Sequence, residues 1–249
     1  MANQAVKPTN CWRIIMGNRA IILAAGISSR IFELTKGLPK GLMEINGEPV
    51  VGRIIRLLRE AGVFDITVVV GYREELFRER FPECNFVTNP EFRSTNTCVS
   101  LELALKANET DSVFVINGDV YFEESILKQM LACGHPTVAA VSRHPLCDEE
   151  IKVHVKDGLV TTIGKHLNDE IAYGEAFGIY LMSPKFSVYM KRALNLLNNP
   201  KVFYEAAMDH LLAGGHVMNI LDVGDAVVQE LDFPTDYEAL MKTISAKSE

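Results

Sequence analysis

The chain has little of what several functional classes require. Its five cysteines, Cys11, Cys84, Cys98, Cys133 and Cys147, are scattered, odd in number and without a CxxC pair. That argues against a disulfide framework, a zinc cluster or a dithiol redox centre, and fits a reducing cytoplasm. The six histidines form no HxH or HExxH pairing, so a histidine-based metal site is not expected. No apolar run reaches the length of a membrane span. A basic excess is missing too: 25 Lys and Arg stand against 32 Asp and Glu, a formal net charge of −7. Neither nucleic acid nor an anionic membrane is therefore an expected partner. No GKS or GKT follows the first glycine turn and there is no GxGxxG spacing, which sets aside the Walker A loop and the dinucleotide fingerprint. Repeats, linkers and low-complexity tracts are absent, and 48% apolar with 23% charged residues is ordinary for a globular chain. A length of 249 residues suffices for one large α/β domain.

What is present centres on the stretch AIILAAGISSRIFELTKGLPKGLMEIN, residues 20–46. Ala20, Ile21, Ile22, Leu23 and Ala24 form a short continuous apolar run, the pattern of a central parallel strand covered on both faces. The run stops at Gly26; Ile27, Ser28, Ser29 and Arg30 then supply flexible backbone, two hydroxyls and a permanent cation, and Lys40 follows Pro39. Small-residue turns bring backbone N–H groups close to anionic oxygens, Arg adds bidentate charge-assisted bonds and Lys a mobile point charge. Polyphosphate binding is one reading. A plain glycine turn after a buried strand, common in α/β proteins, is the other.

Downstream, Pro49 opens a helix with Val51, Ile54, Ile55 and Leu58 on one face and Arg53, Arg56 and Arg59 on a solvated one, closed by Gly62. Ile66 to Val70 reads as the next buried strand, with Gly71 at its carboxyl end, where ligands of parallel sheets gather. A charged helix over Glu74 to Arg80, a strand at Asn85 to Thr88 and a helix beginning near Ser94 or Thr95 follow. Val113 to Ile116 is a strongly apolar strand that runs into Asn117, Gly118 and Asp119. A carboxylate at the carboxyl end of such a strand is costly unless paired, and a bound Mg²⁺ would pair it; capping of the helix near Glu123 to Leu131 is the ordinary alternative. From Thr137 the pattern turns to strands, and the Asp157, Gly158 turn between alternating runs signals a hairpin. It is expected to form a small β insertion, about 143–175, that covers a substrate. Gly178 in the returning strand suggests close approach of backbone or ligand. Helices from Pro184 and over FYEAAMDHLLAGG, a strand at Val217 to Leu221 and a terminal helix after Pro234 complete the chain. Residues 1–18, with the only tryptophan, Trp12, read as an extension whose apolar patch, Trp12 to Met16, is too brief for the core of a signal peptide.

The strings LAAG, SSR and TKGLPKGLMEINGEPV, together with NGDVYFE, resemble the nucleotidyltransferases that activate sugar 1-phosphates and small phosphorylated alcohols. Within that family, VVVGYREELF, DEEIKV, IGKHLNDEIAYGEAFGIYLMSP and ELDFPTDYEAL are most similar to the short cytidylyltransferases acting on phosphocholine or 2-aminoethylphosphonate. The likeness runs from Ala20 to about Glu238. Ile31 and Phe32 depart from the usual leucine after the arginine. The resemblance implies a Rossmann-like α/β fold with a mostly parallel sheet, and transfer of CMP from CTP, with Mg²⁺, to a phosphate or phosphonate acceptor. It implies nucleotide contacts at Leu23, Ala24, Ala25, Gly26, Ser28, Ser29, Arg30, Lys40, Gly71 and Asn89, with Arg30, Lys40 and Lys165 catalytic. It implies acceptor contacts at Asn96, Lys152, Lys165, Glu175 and Tyr204, and metal carboxylates at Asp119 and Asp232. Should Asp232 not serve, Asp222, Asp225 and Asp236 are next. Either lysine of the insertion could instead be surface charge, and Asn96 lies beside ordinary cap residues.

An acceptor phosphate oxygen is already anionic near pH 7 and needs no general base. The absence of a Ser, His, Asp arrangement is consistent with that. The reaction needs alignment of two anions and neutralisation of the leaving pyrophosphate. Asp148, Glu149, Glu150 and Glu175, with the rings of Tyr121, Tyr173, Phe177 and Tyr204, could meet an amine or quaternary ammonium on the acceptor. A sugar-1-phosphate nucleotidyltransferase shares the loop and the carboxylates, and a silent nucleotide-binding regulatory subunit shares the fold. Both are kept as alternatives, and a homo-oligomer is left open.

Overall fold

A computed structural model describes residues 19–27, 29–107 and 112–247. The leading extension with Trp12, and the candidate Ser28, lie outside the described residues. In chain order the strands and helices are β1 (Arg19–Leu23), β2 (Glu44–Ile45), β3 (Glu48–Pro49), α1 (Val50–Glu60), β4 (Asp65–Val70), α2 (Glu74–Arg80), β5 (Asn85–Thr88), α3 (Thr97–Ala107), β6 (Val113–Asn117), β7 (Val120–Phe122) and α4 (Glu124–Ala132). They continue as β8 (Val138–Ser142), β9 (Lys152–Lys156), β10 (Leu159–Gly164), β11 (Gly174–Met182), α5 (Pro184–Leu196), α6 (Glu205–Ala213), β12 (Asn219–Asp222), β13 (Val228–Glu230) and α7 (Pro234–Lys247). Two 3-10 turns, Ser29–Ile31 and Lys40–Leu42, lie in the loop after β1.

The expected central strand is β1, paired in parallel with β4 on one side and β6 on the other. Because side chains alternate across a strand, Ala20 and Ile22 enter a core cluster with the buried face of α1. Ile21 and Leu23 enter a second cluster with residues of α3, α5 and α6. Two covered faces explain the uninterrupted apolar run. Ile21 and Ile22 are both 0% exposed, so truncating either to Ala should cost roughly 2 to 5 kcal/mol. The helix opened by Pro49 forms as expected, but its arginines are not all solvated. Arg53 donates from Nη2 to the Phe122 carbonyl at 3.1 Å and lies over the Tyr121 ring at 4.4 Å.

The principal sheet has nine strands in the order β5-β4-β1-β6-β11-β8-β12-β10-β9. Its first four are parallel, and β11 then runs antiparallel to β6. The hairpin of β9 and β10 is hydrogen-bonded into this sheet, β10 to β12 and β9 to β11. The latter pairing, at Gly174 and Glu175, closes the far half of the sheet on itself. The reason is apolar: Val153, Val160 and Ile163 bury with Met208, Leu211 and Leu212 of α6 in the second core cluster. A separate two-stranded ribbon pairs β7 with β13, Glu230 opposite Val120. Neither ribbon strand was anticipated, and together they shape the site.

Candidate active site

The site forms where the carboxyl ends of β1 and β6 meet. The Gly118 amide donates to the Leu23 carbonyl at 2.8 Å. A side chain at Gly118 would stand 2.8 Å from that carbonyl oxygen and 2.9 Å from the Ala24 Cβ. Only glycine allows this approach, which brings Asp119 beside the loop after β1. Gly41 permits a second close fit: its added Cβ would lie 2.6 Å from Val51 Cγ2. This seats the Lys40–Leu42 turn against α1, next to Gly118. Lys40 thereby reaches Asp119 Oδ2 at 3.3 Å, and it also bonds Asp232 Oδ1.

Asp232 arrives on the ribbon. Leu231 donates its amide to the Asp119 carbonyl at 3.0 Å, and the carboxylates of Asp119, Glu230 and Asp232 each offer an oxygen within 4.8 Å of the others. Desolvation raises the pKa of Glu230 well above the ordinary value, and its neighbours Asp119, Asp232 and Glu175 push it further. Asp119 is raised by desolvation too, opposed by Lys40 and reinforced by Asp232. Burial works against the Lys40 charge, yet Asp119 and Asp232 outweigh it and its pKa is raised. An all-oxygen, over-negative cluster of this kind suits a hard divalent cation that keeps part of its shell for phosphate and water.

Two further cations converge on one oxygen. Arg30 Nη2 and Lys165 Nζ contact Glu149 Oε2 at 3.2 and 3.4 Å, and Arg30 Nη1 also reaches Asp232 Oδ2 at 3.3 Å. Lys165 lies over the Phe203 ring at 4.6 Å. These groups border a cavity of about 270 Å³ that is also lined by Leu23, Ala25, Gly26, Asn89, Asn96, Asn117, Tyr204 and Glu205. A smaller cavity of about 110 Å³, lined by Ala24, Gly26, Lys40 and Asp119, adjoins the turn.

Of the expected site residues, the structure groups Leu23, Ala25, Gly26, Arg30, Asn89, Asn96, Asp119, Lys165, Tyr204 and Asp232 on the larger cavity, with Ala24 and Lys40 on the smaller. Asn89 is 1% exposed and its amide holds the local turn, donating to Thr95 and Ser100 at 3.1 Å and accepting from the Glu91 amide at 3.0 Å. Asn96 caps α3 from its own side chain, accepting from the Thr97 amide at 2.7 Å, and donates to the Lys201 carbonyl at 3.3 Å. Gly71 backs the first loop: a Cβ there would meet the Ala25 carbonyl at 2.8 Å. Ser29 is exposed in the first 3-10 turn, and Ser28 lies outside the described residues.

Two acceptor candidates are engaged elsewhere. Lys152, 1% exposed, pairs with Asp169 at 2.6 Å. Glu175, 3% exposed, pairs with His144 Nε2 at 2.8 Å and faces the neighbouring cavity of about 490 Å³. Sequence reasoning overlooked Glu230, Asn117 and Glu205. Glu230 had a signal, since residues two apart in an extended segment share a face and Asp232 was already chosen. Glu205 carried none: an acid opening a helix is ordinary.

Cations and carboxylates meeting at the strand ends of a mixed α/β sheet, whose first four strands are parallel, fit a nucleotidyltransferase. The chain belongs to the family of the MobA-like NTP transferase domain, which matches residues 20–175. It is 29% identical over 238 residues to the CMP-5'-(3-aminopropyl)phosphonate synthase of Streptomyces rubellomurinus, covering 88% of this chain and 37% of that one. It is 37% identical over 113 residues to the 2-aminoethylphosphonate cytidylyltransferase of Lancefieldella rimae, covering 44% of this chain and 46% of that one. The matches thus span less than half the length of these two relatives. The CTP:phosphocholine cytidylyltransferase of Streptococcus pneumoniae shares the fold, with a TM-score of 0.77 at 21% identity over 91% of this chain and 98% of that one. Among the described residues no helix is long and apolar enough to cross a membrane.

Proposed function

We propose that this protein transfers CMP from CTP to a small phosphorylated or phosphonate acceptor, of the phosphocholine or 2-aminoethylphosphonate type, and releases pyrophosphate with Mg²⁺ bound. The observation that carries the reading is the meeting of Arg30 and Lys165 on one anionic oxygen, that of Glu149, beside the Lys40, Asp119 and Asp232 cluster. Two cations that converge on one carboxylate oxygen can converge on a substrate phosphate oxygen in its place. The names of the phosphonate relatives support the choice of acceptor.

In this reading an acceptor oxygen forms a bond to the α-phosphorus while the bond from that phosphorus to the bridging oxygen breaks, and the electron pair leaves on pyrophosphate. Arg30 and Lys165 exchange Glu149 for substrate oxygens and hold the two anions in line. Lys40 neutralises charge beside the first loop, and the glycine contacts behind that loop keep it close to the triphosphate. Asp119, Glu230 and Asp232 would hold Mg²⁺, which when bound neutralises the phosphate charge that develops on the leaving group.

The experiment is pyrophosphate release with CTP, UTP, ATP, GTP and dTTP, each against phosphocholine, 2-aminoethylphosphonate and glucose 1-phosphate, with and without Mg²⁺. CTP with one of the first two acceptors is expected to dominate. Preference for the sugar, or for UTP or dTTP, overturns the proposal.

A further inference from the structure

Glu205 opens α6 and is 2% exposed. Its Oε1 accepts from the Tyr180 hydroxyl at 3.2 Å, while its Oε2 is buried with no hydrogen-bond partner among the described residues. The nearby Tyr204 hydroxyl donates to Asn117 Oδ1 at 3.0 Å, and both that hydroxyl and the Lys165 charge act on the Glu205 carboxyl, against the effect of burial. A carboxylate oxygen withheld from water is unfavourable until a donor or a proton satisfies it, and burial accordingly pushes this carboxyl up to about 7. Glu205 is a wall of the same cavity as Lys165, Phe203 and Asn117. The lining of that cavity therefore offers a cation, Lys165, and an acid, Glu205, one oxygen of which has no hydrogen-bond partner among the described residues.

We infer that Glu205 receives a primary ammonium group on the acceptor, through its unpaired oxygen, while the phosphate or phosphonate end of the same molecule lies on Lys165 and Arg30. The inference rests on the cavity taking the acceptor, as proposed above, and narrows the class of acceptor. An N–H-bearing ammonium supplies both the charge and the hydrogen bond that Oε2 lacks. A trimethylammonium group supplies the charge alone, and a neutral hydroxyl supplies only an uncharged bond.

The test measures binding of 2-aminoethylphosphonate, its N,N,N-trimethyl derivative and 2-hydroxyethylphosphonate by calorimetry, with α,β-methylene-CTP present. Wild-type protein, Glu205→Gln and Tyr180→Phe are compared. The wild type is expected to favour the primary amine roughly tenfold or more over both analogues, in line with a charge-assisted bond. Glu205→Gln is expected to close that gap, and Tyr180→Phe, which keeps the carboxylate, to retain it. Thermal unfolding of each variant shows whether it is folded. Equal binding of the three ligands by the wild type, no binding of any, or an unchanged gap in folded Glu205→Gln overturns the inference. Pyrophosphate release is followed separately. Loss of CTP-dependent release with the amine gap intact defeats the cytidylyl reading and leaves the role of Glu205 standing.

Discussion

The amide of Leu231 donates to the carbonyl of Asp119 at 3.0 Å, and through this bond the last strand of the chain delivers Glu230 and Asp232 to the end of β6. Ribbon pairing between β7 and β13 sets the register, with Glu230 opposite Val120. The carboxylate cluster is thus a product of backbone geometry, and side-chain substitutions within it can test charge without undoing the fold.

Lys40→Ala should leave the protein folded and lower kcat/KM for nucleotidyl transfer by roughly ten- to a hundredfold, the value of one charge-assisted contact of about 1.5 to 3 kcal/mol. Steady-state pyrophosphate release measures it. Turnover equal to wild type would remove Lys40 from the triphosphate site.

Glu230→Gln, Asp119→Asn and Asp232→Asn should each weaken the dependence on Mg²⁺, since an amide keeps the shape but loses the charge that retains a hard divalent ion. Activity is titrated against Mg²⁺ for the three variants. An unshifted midpoint for Glu230→Gln alone would leave only the two aspartates as ligands.

Gly118→Ala should destabilise the protein by roughly 1 to 3 kcal/mol, because the new methyl would stand 2.8 Å from the Leu23 carbonyl oxygen and the backbone must shift. Urea unfolding reports the loss, and activity should fall further than stability because Asp119 moves with that backbone. An unchanged midpoint would mean that the loop after β1 yields freely.

His144 and Glu175 predict a pH effect. The hydrogen bond to Glu175 raises the His144 pKa from 6.5 to about 9. A group raised in the folded state contributes stability that is fully present below pH 6.5 and is lost as pH rises through about 9. The urea midpoint of wild type should therefore fall between pH 6 and pH 9.5 by more than that of His144→Gln. Parallel pH curves for the two proteins would show that the pair is not ionic.

The sequence by itself determined the sheet centre and the cationic loop. A run such as Ala20 to Leu23 can be buried on both faces in few ways, and Gly26, Arg30 and Lys40 follow it at loop spacing. Asp119 was legible for the same reason, as a charge at the end of an apolar strand. Only the tertiary structure decided which acids share the site. Glu230 joins because a two-strand ribbon sets its register, Glu205 because α6 turns it inward against Tyr180, and Glu175 is drawn off by His144. It also decided the place of the β9–β10 hairpin, whose alternation announces strands but not the sheet they join. Apolar periodicity is a property of neighbouring residues, whereas the pairing of charges depends on distances that only the closed sheet sets.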